Sequence, residues 1–227
     1  GEADRCLPPP GTYRRKPVTV LMTARGCDRK CMFCFQIDRK RQAGVRGVRY
    51  RSIENVLAEI EHCLDQGYRE IKFLDDTLAA DYHRALLLAQ EIKARGLDFS
   101  WFASACVNQV DEPLLQAFKD AGCWAILFGG ESGEQKNLNA VRKGSTVDHT
   151  REAVRIAKKV GLRVSMPFIF GIPGQTYEDG LKTIDFAIEL DPDLANFHAV
   201  TAFPGTELYE HHAKYGAISS DLQDYTY

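Results

Sequence analysis

The sequence lacks several features that would assign a protein to a class at once. No apolar run approaches the ~20 residues of a membrane-spanning helix, and residues 1–11 lack the apolar core of a signal peptide. We therefore expect no membrane partner and a cytoplasmic location. Lys and Arg total 29 against 31 Asp and Glu, so the net charge of −2 gives no reason to expect nucleic-acid binding. Motifs of serine hydrolases and phosphate-binding loops are missing too.

Cysteine is scarce and unevenly placed. Seven cysteines are too few and too scattered for a secreted disulfide framework, which favours reduced thiols. Cys27, Cys31 and Cys34 lie close together, and this indicates metal binding. The other four, at positions 6, 63, 106 and 123, are predicted to have no role in chemistry. His198 is expected to be a core histidine.

Apolar runs and amphipathic segments alternate along most of the chain. The predicted strands cover residues 18–22, 70–74, 98–105, 124–128, 163–170 and 194–203. Because these runs are continuously apolar, we expect strands that are covered on both faces and parallel. Helices are predicted between them, several starting at Ser, Asp or Thr and ending at Gly. The helix after Thr176 has Leu181, Ile184 and Ile188 on one face.

Six strand–helix units predict either a partial barrel or an open doubly wound sheet. Six units are too few for a full eight-stranded barrel, so the predicted fold is α/β, a partial (β/α)6 TIM-like barrel with a parallel sheet. Residues 1–15 are Pro-rich and are predicted to be a linker or tail, followed by the barrel at 16–215. Residues 216–227 are expected to be a truncated C-terminal extension. In either architecture ligands bind beyond the carboxyl ends of the strands.

The three clustered cysteines follow the first predicted strand, within TARGCDRKCMFCF. Their spacing is C-x3-C-x2-C, with no fourth cysteine nearby. Structural zinc and an ordinary [4Fe-4S] cluster each take four protein ligands. Three thiolates therefore leave one iron of a cluster open to a substrate or cofactor. A zinc site completed by a distant histidine is the alternative.

This spacing, with aromatic Phe33 before the third cysteine, resembles the radical S-adenosylmethionine (SAM) superfamily. The resemblance covers roughly residues 17–215. It implies that Cys27, Cys31 and Cys34 hold a [4Fe-4S] cluster, whose open iron is chelated by the amino and carboxylate groups of SAM. It also implies that Phe33 lies near the adenine.

Polar residues stand at the ends of the next two predicted strands. Asp75 and Asp76 end the second, where the family usually carries Gly-Gly-Glu; this chain instead resembles a branch with an FxDD pattern. Two adjacent carboxylates are costly without a cation, and the SAM ammonium would serve; a turn or helix-capping cluster is the alternative. Ser104, near the end of the third strand, is a candidate SAM contact or an ordinary loop serine.

The resemblance also assigns residues at later strand ends. It implies that Glu131, in FGGES, lies near the ribose or methionine of SAM, where the two glycines let a ligand approach the backbone. Lys143 would meet the SAM carboxylate. The backbone near Gly171 and Ile172 would contact the adenine. Each of these residues has an ordinary alternative as a turn or solvated side chain.

The Pro-rich lead-in, the YRSIENVLAEIE helix and the FLDDT, GGES and FGIPG strand ends resemble a branch that often carries a cobalamin-binding domain. Members of that branch resemble methyltransferases and ring-forming oxidoreductases. The implied reaction is reductive SAM cleavage to a 5′-deoxyadenosyl radical, with an electron donor such as flavodoxin or ferredoxin and a small-molecule substrate. Cobalamin, if used, would sit on a domain outside this chain. The alternatives are a methylthiotransferase-like enzyme and a non-catalytic zinc scaffold.

Overall fold

Residues 13–35 and 47–216 are described by the structure, a computed structural model of the chain. Most of the predicted tail and nearly all of the predicted extension lie outside these ranges. In the described part the strands are Val18–Leu21 (β1), Ala24–Arg25 (β2), Arg49–Tyr50 (β3), Glu70–Phe73 (β4), Ser100–Ala105 (β5), Cys123–Phe128 (β6), Arg163–Phe170 (β7) and Leu194–Ala199 (β8).

The helices are Ile53–Asp65 (α1), Tyr82–Ala94 (α2), Glu112–Asp120 (α3), Gln135–Ala140 (α4), Val147–Lys159 (α5), Tyr177–Leu190 (α6) and Glu207–Glu210 (α7). Single 3-10 turns occupy Leu78–Ala80, Val107–Gln109 and His212–Lys214. Among the described residues, every helix is too short or too polar to cross a bilayer.

Six strands form one parallel sheet in the order β1-β4-β5-β6-β7-β8. This confirms the predicted α/β class and parallel sheet. β1 and β8 are the edges, and they do not pair with each other. Since all six strands run the same way, the loops after them gather along one edge of the sheet.

The sheet is covered by helices on one face only. Ile71, Phe73, Trp101 and Phe128 point into the main hydrophobic core with the apolar sides of the helices. Alternate residues, whose side chains lie on the other face, are exposed to solvent. Val20 is one of them, and Lys72 is another, with its ammonium over the ring of Phe102, its cross-strand neighbour on β5. The prediction that both faces are covered is therefore wrong, because six strands do not close around their inner face.

Helix boundaries follow the predicted signals closely. The side chains of Ser52, Asp81, Asp111 and Thr176 each accept a hydrogen bond from a backbone N–H three residues later. The predicted glycine stops have positive φ: Gly67, Gly96, Gly122 and Gly161. Such stops are conformations that glycine adopts without a Cβ clash.

The beginning of β4 is tied to the chain that enters the domain. Glu70 is buried, and its Oε2 accepts hydrogen bonds from the backbone N–H groups of Arg14 and Arg15, both at 2.7 Å. Ser100 Oγ donates to the same oxygen at 2.8 Å, and Trp124 Nε1 donates to Oε1 at 3.2 Å. Residues 14 and 15, predicted to be tail, therefore contact the sheet.

The orientation of α6 differs from the prediction. Leu181, Ile184 and Ile188 are 44%, 39% and 70% exposed, whereas Phe186 and Leu190 point into the core. α6 therefore has two apolar faces, and only one of them is buried. β8 next to it is also largely exposed and ends at residue 199 rather than 203. His198 lies on β8 and is exposed, so its predicted place in the core is wrong.

Candidate functional site

The three clustered cysteines lie just beyond the carboxyl end of β1. Cys31 is buried, while Cys27 and Cys34 are half-buried. The Cys34 N–H donates to the carbonyl of Cys31 at 3.2 Å, which closes a tight turn between the second and third cysteine. The Arg29 N–H donates to Cys27 Sγ at 3.4 Å. We refer to residues 26–35 as the cysteine loop.

Met32 fixes the middle of this loop against the later strand ends. Its N–H donates to the carbonyl of Val141 at 3.1 Å, and its carbonyl accepts from the N–H of Leu208 at 3.0 Å. These side chains pack with Ile169 and Ile172 in a second apolar cluster, which Phe33 joins. Phe33 and Ile172 are thus brought together; the resemblance placed Phe33 and the backbone near Ile172 at the adenine.

Lys143 and Glu131 form a buried ion pair beside the cysteine loop. Lys143 Nζ lies 2.5 Å from Glu131 Oε1, with side chains only 11% and 7% exposed. Burial acts to lower the pKa of Lys143, but the Glu131 carboxylate and the nearby Cys31 thiol raise it above its usual value. Burial raises the pKa of Cys31 to about 11, and Lys143 acts against this shift. The Lys143 ammonium is thus a cation that favours the thiolate form of Cys31.

The two glycines before Glu131 make room for protein rather than for a ligand. A Cβ at Gly129 would lie 2.4 Å from Lys143 Nζ and 2.5 Å from Glu131 Oε1. A Cβ at Gly130 would lie 2.8 Å from the Met166 side chain. The prediction that these glycines open space for a ligand is therefore wrong, since this ion pair and the core fill that space.

Cys106, predicted to have no role in chemistry, lies against Cys27. The interaction between the two thiols raises the pKa of Cys27 and lowers that of Cys106 to about 6. The Cys106 N–H also donates to Thr77 Oγ1 at 3.3 Å. The available signal was its place directly after β5, at the same edge of the sheet as the cysteine loop.

Asp75 and Asp76 point toward the chain that leads into the cysteine loop. The two oxygens of Asp75 accept from the Thr23 N–H at 2.6 Å and from Thr23 Oγ1 at 2.5 Å. Asp76 Oδ2 accepts from the Gly26 N–H at 2.9 Å. Burial raises the pKa of Asp75, and the bonds from Thr23 oppose that shift. This geometry favours the turn-stabilising alternative over a contact with the SAM ammonium.

The remaining predicted residues are more dispersed. Ser104 is half-buried within β5, one residue before its end, rather than in a loop. Gly171 has φ +80 and its N–H donates to Gln175 Oε1 at 2.6 Å. Thr23 and Arg84, which hold the start of the loop, were missed because no motif marks them.

The arrangement of the three cysteine thiols can be compared with the needs of a single zinc ion and of a [4Fe-4S] cluster. In the part of the chain that the structure describes, no three His, Cys, Asp or Glu side chains are arranged around one metal ion. A single zinc ion needs thiolates that converge at about 2.3 Å. In a [4Fe-4S] cluster each cysteine binds a different iron, so the ligands stand farther apart. Three thiols on one loop, one of them beside a buried ammonium, fit such a cluster.

Comparison with known proteins identifies the family. The model of the radical SAM superfamily matches residues 21–187. The chain belongs to the radical SAM superfamily. This confirms the resemblance carried by the cysteine spacing. Radical SAM proteins are enzymes that use a [4Fe-4S] cluster and SAM, which confirms the predicted cofactors at the level of the family.

The chain is similar to several methyltransferases. It is 41% identical to an uncharacterized methyltransferase of Pyrococcus horikoshii over 91% of this chain and 43% of that protein. It is 27% identical to cytidylyl-2-hydroxyethylphosphonate methyltransferase of Streptomyces wedmorensis over 90% of this chain and 39% of that protein.

Among solved structures, the radical SAM methyltransferase TsrM of Kitasatospora setae has the same fold. That structure, which contains cobalamin and a [4Fe-4S] cluster, matches with a TM-score of 0.75 at 22% identity, over 84% of this chain and 38% of TsrM. The chain therefore spans less than half the length of each of these three proteins.

Proposed function

We propose that this radical SAM domain binds its cluster through Cys27, Cys31 and Cys34 and serves methyl transfer to a small-molecule substrate. The observation that carries the proposal is the placement of three thiols on one loop, beside the buried Lys143, at the carboxyl edge of a parallel sheet. When bound, the cluster and SAM supply one-electron cleavage of a sulfonium bond and a carbon radical. Similarity to methyltransferases supports methyl transfer as the outcome.

The protein groups have distinct tasks in this proposal. Lys143 offsets negative charge on the thiolates, and Glu131 holds that ammonium in place. Phe33 and Ile172 supply an apolar wall for the adenine, next to the backbone of Gly171. Ser104 contributes a hydroxyl on the open face of the sheet. Asp75 and Asp76 act on the loop rather than on SAM.

The proposed cluster chemistry needs an electron donor and a reducing compartment. Arg25 and Lys30 are exposed at the cysteine loop and would contact an acidic electron donor of the flavodoxin or ferredoxin type. A low-potential cluster and reduced thiols suit the cytoplasm. Cobalamin would act from a part of the polypeptide, or a partner, outside this chain.

The test is anaerobic reconstitution with iron and sulfide, followed by dithionite and SAM. We expect a brown protein with about four irons per chain that releases 5′-deoxyadenosine or, where the SAM methyl group is transferred, S-adenosylhomocysteine. Cys31→Ala should abolish both the cluster and SAM cleavage. Cys63→Ala, which changes a half-buried thiol on α1, is the matched control and should retain both.

Three outcomes would contradict the proposal in different ways. Normal SAM cleavage by Cys31→Ala would remove the cluster assignment. A colourless protein that contains zinc would indicate the scaffold alternative. Hydrogen abstraction without any methyl transfer would keep the radical chemistry and reject the methyltransferase assignment.

A further inference from the structure

Thr23 lies where the chain leaves β1 for the cysteine loop, and its N–H, hydroxyl and carbonyl all form hydrogen bonds. It is completely buried. Its N–H and hydroxyl both donate to Asp75, at 2.6 and 2.5 Å. Because both Asp75 oxygens accept these short bonds, and Asp75 is itself only 4% exposed, the carboxylate is committed to the chain that leaves β1.

Arg84 of α2 also forms hydrogen bonds with Thr23. Its Nη1 donates to Thr23 Oγ1 at 3.1 Å, and its Nη2 donates to the Thr23 carbonyl at 3.2 Å. Nη2 also donates to the carbonyl of Arg51 at 3.0 Å, next to β3. The Arg51 N–H in turn donates to the Thr23 carbonyl at 3.0 Å. Every polar atom of Thr23 is therefore bonded, and the chain after the cysteine loop is tied to the chain before it.

Asp76 extends this arrangement to the first residue of the cysteine loop. It accepts from the N–H of Gly26, whose φ of +102 turns the chain directly before Cys27. A residue with a Cβ rarely adopts that conformation. The path from β1 to Cys27 is thus fixed at two points by two adjacent carboxylates at the end of β4.

We propose that Asp75, Asp76 and Arg84 are positioning residues that set the start of the cysteine loop before the cofactor is loaded. Burial of an ionised carboxylate and a guanidinium is costly, and here both groups bond to the backbone and side chain of one residue. That cost is explained if the position of Cys27 must be defined in advance. The proposal rests on the cluster assignment made above, but the order of the loop can be measured without a cluster.

The test compares Asp75→Ala with Glu70→Ala. Glu70 is a matched control because it is a buried carboxylate at the other end of the same strand, about 16 Å away along β4, and it bonds to residues 14, 15, 100 and 124 instead. Both variants should melt at a lower temperature. Only Asp75→Ala should lose iron to a chelator faster, by about 10-fold or more, and show an altered electron paramagnetic resonance spectrum of the reduced cluster.

A second readout uses the cofactor-free protein, so that it survives failure of the cluster assignment. Hydrogen exchange at the amides of Thr23 and Gly26 should be at least about 10-fold faster in Asp75→Ala than in Glu70→Ala. Asp75→Asn keeps an acceptor for the Thr23 N–H but not for its hydroxyl, so it should fall between wild type and Asp75→Ala. If Asp75→Ala does not fold, Asp75→Asn and Asp76→Ala replace it.

The outcomes separate the two proposals. The positioning role would be overturned if a folded Asp75→Ala variant lost iron to the chelator at the wild-type rate and if its Thr23 amide exchanged hydrogen at the wild-type rate. Equal effects of Asp75→Ala and Glu70→Ala on iron retention would overturn it as well. If the wild-type protein takes up no cluster, the proposed function is wrong, and the exchange experiment alone decides the role of Asp75.

Discussion

Lys143 and Glu131 show how much local structure is built around a single buried charge pair. Both are confined near the cysteine loop, and Gly129 is the residue that leaves room for them. An ammonium removed from water keeps its charge only if an anion compensates for the lost hydration. The ion pair therefore links the FGGES turn to Lys143, three residues after the end of α4.

Replacing Lys143 with Met should destabilise the cofactor-free protein by about 3 kcal/mol, because it leaves the Glu131 carboxylate buried without a cation. Urea unfolding measures this loss. The double variant Glu131→Gln/Lys143→Met should be less destabilised than Lys143→Met, since no buried charge remains. Lys158→Met, which breaks an exposed pair with Asp191, is the control and should cost less than about 1 kcal/mol. Equal losses for Lys143→Met and Lys158→Met would contradict this account.

At single positions, the residues that would bind the cluster were easier to predict from the sequence than the hydrogen-bond partners of a given side chain. The cysteine spacing identified the family because thiols at that spacing are rarely incidental. The partners of Asp75 were not predictable, because Thr23 and Arg84 are 52 and 9 residues away and carry no motif. The contact between Cys106 and Cys27 was not predictable for the same reason, since the two residues follow different strands.

The amino terminus of α6 is closed by two reciprocal hydrogen bonds between Thr176 and Asp179. Thr176 Oγ1 accepts from the Asp179 N–H at 3.2 Å, and Asp179 Oδ2 accepts from the Thr176 N–H at 2.8 Å. Lys136 Nζ lies 2.8 Å from the same oxygen. The Lys136 ammonium, together with the Thr176 N–H, holds the pKa of Asp179 below its usual value.

This shift predicts a pH dependence. Because the pKa is lowered in the folded state, the stabilisation by Asp179 is complete above the unfolded-state pKa of about 3.9. It is lost as the pH falls through the lower folded-state pKa. The difference in unfolding free energy between wild type and Asp179→Asn should therefore narrow as the pH falls from about 5 to 2.

Denaturant unfolding at several pH values measures this difference. Asp185→Asn, an exposed position on the same helix with no ion-pair partner among the described residues, is the control over the same pH range and should change the unfolding free energy only slightly. A gap for Asp179→Asn that stays constant down to pH 2 would contradict the role of this carboxylate.

At the level of elements, strands and caps were predictable, but the buried face of α6 was not. Apolar runs and capping residues act locally, so their signals lie within a few residues. On α6, Leu181, Ile184 and Ile188 form one apolar stripe, while Phe186 and Leu190 belong to another. Periodicity alone cannot rank two such stripes. The choice is made by packing of Phe186 and Leu190 into the main core, whose other members lie outside the helix.

For the whole molecule, large apolar side chains are exposed on α6 and also on the edge strand β8, where Leu194 and Phe197 are 52% and 42% exposed. Patches of this kind favour association in water. We expect the 227-residue chain to self-associate as its concentration rises. Leu181→Lys/Ile188→Lys should reduce this association with a change in stability of about 0.5 kcal/mol or less per site.

Sedimentation velocity and thermal melting together check this prediction. Phe186→Ala, on the buried stripe of the same helix, is the control and should cost about 3–5 kcal/mol without relieving association. A large fall in melting temperature for the lysine variant would show that Leu181 and Ile188 are packed rather than exposed.

The two short strands on either side of the cysteine loop have a consequence for how the sequence can change. Ala24 pairs with Tyr50 and Arg25 with Arg49, so the chain between them begins and ends at neighbouring points. For a loop whose ends are already joined, each doubling of its length costs only ~0.6 kcal/mol in closure entropy. The pairing of these two strands therefore lets the number of residues between Arg25 and Arg49 change at little cost in free energy.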